Sequence, residues 1–144
     1  MSTDNGAFYN TFKVACFAGC TLVVSLADQF TKMAAVEKIE SPLSLMDIHI
    51  APPAAVFGPL AILTALWASL VVRKLGNHWL LLVVPLSLIV GGALSNIGEA
   101  AVQGVVTDFI RIGPIATNVA DLAMIVGVLS LILIVPYIYT RRRC

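Results

Sequence analysis

Charge is scarce in this chain. Asp, Glu, Lys and Arg make up 12% of its 144 residues, against roughly 25% in a soluble domain. The formal net charge is only +1, so no overall field draws nucleic acid, and no nucleic-acid partner is expected. Cysteine is equally sparse. Cys16, Cys20 and Cys144 show no metal-ligand spacing, and Cys16 and Cys20 stand four apart in an apolar stretch, where packing is the ordinary role. Neither a metal nor an organic cofactor is expected. No histidine accompanies a serine or cysteine in a nucleophile motif, and no internal repeat or low-complexity tract is visible. These absences leave no Ser–His or Cys–His catalytic set and no overall electrostatic case for nucleic acid.

What fills the space is apolar. Hydrophobic residues make up 59% of the chain, and the mean hydropathy is +0.95. Several runs approach the roughly 20 apolar residues that a membrane crossing needs. The pattern predicts transmembrane helices over about 11–32, 54–72, 79–97 and 118–139. Residues 33–53 form an outer loop in which 43–50 alternates weakly, with room for short β-strands or an interfacial segment. Pro59 is expected in the first turn of the second helix, where proline is tolerated. Residues 98–117 form a semi-polar connection. The expected fold is therefore an all-α membrane protein, a four-transmembrane-helix bundle in a single domain over 1–144, with a small extracytoplasmic loop region. Phe17-Ala18-Gly19-Cys20 is faintly like a lipobox, but too few apolar residues precede Cys20 and the run continues past it, so the first segment reads as a retained helix.

Basic residues set the orientation. With the Arg73-Lys74 turn in the cytoplasm, both termini are cytoplasmic, and that side holds six of the nine basic residues: Lys13, Arg73, Lys74, Arg141, Arg142 and Arg143. Of the eight acids only Asp4 is inside. Tyr137, Tyr139 and Trp79 suit an aromatic belt at the inner face, and His49 and His78 fall on opposite sides of the membrane. Asp28, Lys32, Asn96, Glu99, Asp108, Asn118 and Asp121 then converge at the outer face from three helix ends. Ionisable groups at membrane depth are costly and usually face a bundle interior or a watery cavity.

Each group has a plain structural reading beside a functional one. Asp28 and Lys32, four apart on one helix face, read as an ion pair ending a span or as a pair shaping a site. Asn96, Glu99 and Gln103 share a face if their helix continues, as a polar stripe or as part of a site. Asn118 with Asp121 three residues on has the form of a helix N-cap, which also fixes where Asp121 points. Asp108 sits among β-branched and aromatic residues, as a partner for Arg111 or as a working acid. Two carboxylates at one low-dielectric site share a proton. The ionised member can draw a proton from water, and the protonated member can donate to a carbonyl oxygen and then to a leaving amine.

These residues resemble the lipoprotein signal peptidases (signal peptidase II), and the match covers nearly the whole chain in order and topology. Asp28-Gln29-Phe30-Thr31-Lys32 is similar to the family's Asp-Gln-x-x-Lys. The run Ser95-Asn96-Ile97-Gly98-Glu99-Ala100, followed by Gly104, Val106 and Asp108-Phe109, follows the spacing of its Gly-Asn-x-x-Asp-Arg-x3-Gly-x-Val-x-Asp-Phe block. Thr117-Asn118-Val119-Ala120-Asp121 is similar to its Phe-Asn-x-Ala-Asp. The resemblance implies an aspartic endopeptidase of the bacterial inner membrane that cleaves diacylglyceryl-modified prolipoproteins just before the lipidated cysteine. It places the catalytic pair on Asp108 and Asp121 and supporting or substrate-binding roles on Asp28, Lys32, Asn96, Glu99, Gly104 and Asn118. The implied partners are the prolipoprotein and membrane lipids. The chain departs from the pattern at Glu99-Ala100, where the family has Asp-Arg, at Thr117, and at Pro52-Pro53-Ala54-Ala55-Val56-Phe57, where an asparagine and a glycine are lost. Two other readings stand beside the peptidase. One is a non-catalytic relative that binds lipidated proteins or serves as a membrane subunit beside a protein partner. The other is a small transporter or proton channel, for which the apolar inner halves of the helices offer no path.

Overall fold

The computed structural model describes residues 3–38, 47–50, 54–76 and 78–141. Within them run α1 (Thr3–Lys38), β1 (Asp47–Ile50), α2 (Ala54–Lys74), α3 (Trp79–Gln103), β2 (Val105–Asp108), β3 (Ile110–Ile112), β4 (Ile115–Thr117) and α4 (Val119–Arg141). Among the described residues three helices are long and apolar enough to cross a membrane: Gly6–Val36 within α1, Trp79–Gln103, and Val119–Thr140 within α4. Their outward surfaces are apolar, as with Leu22, Val23 and Phe30 on α1 and Leu129, Ile132 and Leu133 on α4. In water that surface would be a large exposed apolar patch, so the lipid tails are its solvent. The chain is a multi-pass membrane protein.

The helices run on past the apolar runs that announce them. α1 has 36 residues, about 54 Å at 1.5 Å per residue, and continues through residues 33–38, where the sequence suggests a loop. α3 continues through residues 98–103 for the same reason: Ala, Gln and Glu are good helix formers whatever their polarity. It stops at Gly104, whose φ of 73° lets its N–H reach back to the Ala100 carbonyl at 3.0 Å. Pro59 lies in the second turn of α2 rather than the first, where its missing N–H leaves one carbonyl of the preceding turn without its helical donor.

The remaining connections are short antiparallel strands. β1 pairs with β2 in the register Asp47↔Asp108 to Ile50↔Val105, so the alternating stretch does contain a strand; residues 43–46 lie outside the described residues. β3 pairs with β4, Ile110 opposite Thr117 and Ile112 opposite Ile115.

Close helix packing brings α1, α3 and α4 together at the end that carries the acids. A Cβ built on Gly91 would lie 2.8 Å from the Thr21 carbonyl oxygen, and one on Gly92 would lie 2.5 Å from that of Ala120. Ser25 and Ser87 add hydrogen bonds from Oγ to the carbonyls of Gly91 and Phe17, at 2.8 and 3.2 Å. Small residues let membrane helices approach backbone to backbone. From Phe17 toward the other end the buried core is mostly apolar, with Phe17, Ala68, Val72, Trp79 and Val83 packed together. There Lys13 donates to the Leu75 carbonyl and lies 4.4 Å from the Tyr9 ring centre, while Tyr9 and Phe12 meet Trp79 edge to face. The Gly92→Ala variant is expected to lose about 1–3 kcal/mol, because backbone must move to admit the methyl. Gly19→Ala, with nothing within 4 Å of its added Cβ, is expected to be neutral or slightly stabilised. Thermal unfolding in detergent separates the two; equal midpoints would show that α3 and α4 do not need this contact.

Candidate active site

The polar residues singled out in the sequence meet across three helices. Lys32 has three ammonium donors, and three acceptors surround it: Asp28 Oδ2 at 2.8 Å, Glu99 Oε2 at 2.7 Å and Asn96 Oδ1 at 2.8 Å. The Lys32 and Asp28 side chains are 4% and 0% exposed, so this is a buried cluster and not a solvated ion pair at a helix end. Asp28 is bound on both oxygens. Its Oδ2 also accepts from Ser95 Oγ at 2.7 Å, and its Oδ1 accepts the backbone N–H of Ala120 at 2.8 Å. That N–H belongs to the first turn of α4, where helix amides lack intrahelical partners and favour a negative charge. Asp28 therefore caps a helix 92 residues away in sequence.

Asn96 passes the arrangement on. Its Oδ1 is held by Lys32, so its amide group points to Asp121 Oδ1 at 2.8 Å. The other Asp121 oxygen accepts from Thr117 Oγ1 at 3.3 Å. Asn118, fully buried, is the N-cap of α4: its Oδ1 accepts the Asp121 N–H at 2.9 Å. Its Nδ2 donates to Asp108 Oδ1 at 2.6 Å and more weakly to the Thr107 carbonyl at 3.4 Å. One carboxamide thus touches both aspartates, one through its carboxylate and the other through its backbone. Asp108 itself is 6% exposed and ends β2, while Asp121 lies in the first turn of α4. Gly104 takes no part in the network; it turns α3 into β2, four residues ahead of Asp108. Gln103, on the expected polar face, is exposed.

A model of the family described as Signal peptidase (SPase) II matches residues 20–137. The chain belongs to the signal peptidase II family. A "Lipoprotein signal peptidase" of Methylorubrum extorquens (strain PA1) is 46% identical over 70 residues. That stretch is 45% of this chain and 40% of that protein, so the chain spans less than half of this relative. Two solved structures share the fold, each described as a bacterial membrane enzyme obtained by the in meso method, at 2.3 and 1.9 Å resolution. The first has a TM-score of 0.65 at 19% identity and covers 84% of this chain and 87% of its own. The second has a TM-score of 0.62 at 20% identity, with 84% and 92% covered.

In this signal peptidase II homologue the three motifs are one bonded assembly. Residues that sequence reasoning missed complete it. Ser95 joins Asp28, and Gln29 donates to Ser95 Oγ at 2.9 Å. Thr117, conspicuous in the sequence only as a departure, holds Asp121. Ser95 carries a weak signal, since it precedes Asn96 and lies one helical turn before Glu99. The Ala120 N–H has none, because it is backbone. A groove of about 370 Å³ between α1 and α3 is lined by Ser25, Gln29, Ser95, Gly98 and Glu99, among others. Glu99 faces both the groove and Lys32. Ala100, partly buried beside it, supplies no cation.

Proposed function

We propose that this chain is a membrane aspartic endopeptidase that removes the signal peptide from lipid-modified prolipoproteins, with Asp108 and Asp121 acting on one water. The observation that carries this reading is the Asn118 carboxamide, which bonds the Asp108 carboxylate and the Asp121 backbone N–H together. A group that must move a proton has to be aimed, and the neutral carboxamides of Asn118 and Asn96 aim the two aspartates. The ionised member of the pair takes a proton from water, and the hydroxide attacks the scissile carbonyl. The protonated member gives its proton to the carbonyl oxygen as the tetrahedral intermediate forms. Collapse breaks the C–N bond: the departing nitrogen takes the pair's proton, a hydroxyl of the tetrahedral intermediate returns one to the pair as the new carboxyl group forms, and the pair again holds a single proton. Lys32, Asp28 and Asn96 hold the Asp121 side of this arrangement, and Glu99 completes the shell around Lys32.

In this reading α2, with 21 residues, is the fourth crossing, since about 20 residues span the hydrocarbon. The excess of basic residues at Lys13, Arg73, Lys74 and 141–143 supports cytoplasmic termini, with the aspartates at the outer face of a bacterial inner membrane. The purified protein in phospholipid, given a diacylglyceryl-modified prolipoprotein, is expected to cut immediately before the modified cysteine. The same precursor with that cysteine unmodified is expected to be cut at least ~100-fold more slowly, because acyl-chain burial supplies much of the binding energy.

The second reading, a non-catalytic binder of lipidated proteins or membrane subunit, is favoured by Ala100, which stands where the family pattern has arginine. A stable stoichiometric protein partner on purification, with no turnover of any prolipoprotein, would establish it over the peptidase.

A further inference from the structure

The strands between the two aspartates form a hairpin, β3–β4, whose two faces differ. Ile110 pairs with Thr117 and Ile112 with Ile115, so these four side chains share one face, while Arg111 and Ala116 share the other. Along the first face burial falls steadily toward the turn. Thr117 at the base is buried at 6% exposure and bonded to Asp121, and Ile110 is partly buried. At the tip Ile112 and Ile115 are 58% and 64% exposed. The turn between them is Gly113-Pro114, and Gly113 has a φ of 63°. The base of this face is tied to α4 through Thr117, and its tip is exposed.

What lies beside the rim of this bundle is lipid. β4 ends at Thr117, and the apolar span of α4 begins at Val119. Ile115 at the tip is four residues from Val119, so the tip lies within about 14 Å of that boundary at roughly 3.4 Å per residue. The span of α3 ends at Gln103, and Val102 there is 86% exposed, so a third exposed apolar side chain stands near the same end of the bundle. We propose that the β3–β4 hairpin is a membrane anchor: Ile112 and Ile115 seat in the bilayer interface at this end of the bundle, and the face with Arg111 turns to water. An amphipathic element whose apolar side meets the boundary between headgroups and acyl chains is held there by area burial. The hairpin joins Asp108 to Asn118, so seating it in lipid also holds both aspartates at a fixed depth. The proposal rests on the membrane fold alone and stands whether or not the chain is a peptidase.

The test is site-directed spin labelling in vesicles of phosphatidylcholine and phosphatidylglycerol. Cys16, Cys20 and Cys144 are first replaced by serine. Single Ile112→Cys, Ile115→Cys and Arg111→Cys variants are then labelled, and gel filtration confirms that each remains folded. Labels at 112 and 115 are expected to collide readily with oxygen and poorly with a water-soluble nickel chelate, and a label at 111 is expected to do the reverse. The oxygen-to-nickel ratio should differ several-fold between the two faces. Equal access of nickel to all three positions would overturn the anchor. So would shielding that appears only after a lipidated peptide is added, which would make the tip a substrate contact instead.

Discussion

Replacing either Asp108 or Asp121 with asparagine is expected to reduce prolipoprotein cleavage by about 10³-fold while leaving the protein folded. Asparagine keeps the shape and one carbonyl oxygen. At position 108 that oxygen can still accept from Asn118 Nδ2, and at position 121 it can still accept from Asn96 Nδ2. What is lost is the ability to hold or release a proton. Because the pair works as a unit, the double variant is expected to be no slower than the slower single variant. Single-turnover cleavage of a lipidated precursor, read beside the thermal midpoint, checks both points. Cleavage that survives both substitutions would remove the aspartates from the chemistry, whatever family the chain belongs to.

The largest effect on stability is expected from Lys32→Met. This change leaves the side chains of Asp28 and Glu99, 0% and 3% exposed, without their shared cation, and it frees Asn96 to turn. Removing one member of a buried ion cluster typically costs about 3–5 kcal/mol, because the remaining charges keep their desolvation penalty without their partner. The triple variant Lys32→Met, Asp28→Asn, Glu99→Gln removes the charges together and is expected to recover a substantial part of that loss. Unfolding in mixed micelles with increasing denaturing detergent gives both values. If Lys32→Met is as stable as the unmodified protein, the three groups are not charged together in the folded state.

These expectations rest on contacts of unequal visibility. The Asp28–Lys32 pair was legible because i,i+4 spacing on a helix puts two side chains side by side. The Asn118 cap was legible because Asn followed by an acid three residues later marks a helix start. Helix ends were less legible: nothing at Lys32 or Ile97 stops a helix, and α1 and α3 run six residues beyond each. The bonds between helices were not legible at all. Lys32 to Glu99, Ser95 to Asp28 and Asp28 to the Ala120 N–H join residues 67 to 92 positions apart, and a serine or a backbone amide announces no partner. The pairing of β1 with β2 was hidden for the same reason, since four-residue strands carry little periodicity and their partners lie far along the chain. Family resemblance supplied what spacing could not, by naming three short motifs that belong together before any distance was known.

The hydrogen bond from Ala120 to Asp28 also has a consequence for biosynthesis. A ribosome delivers α1 to the membrane long before α4 exists, so Asp28 and Lys32 enter the bilayer with part of their shell still untranslated. Glu99 and Asn96 arrive next and occupy the lysine. Only when α4 inserts does Asp28 on α1 receive the Ala120 N–H, and the same insertion brings Asn118 and Asp121. A chain halted before that point has a first helix and no completed site. The polar end of α1 is therefore completed only by a helix made 92 residues later.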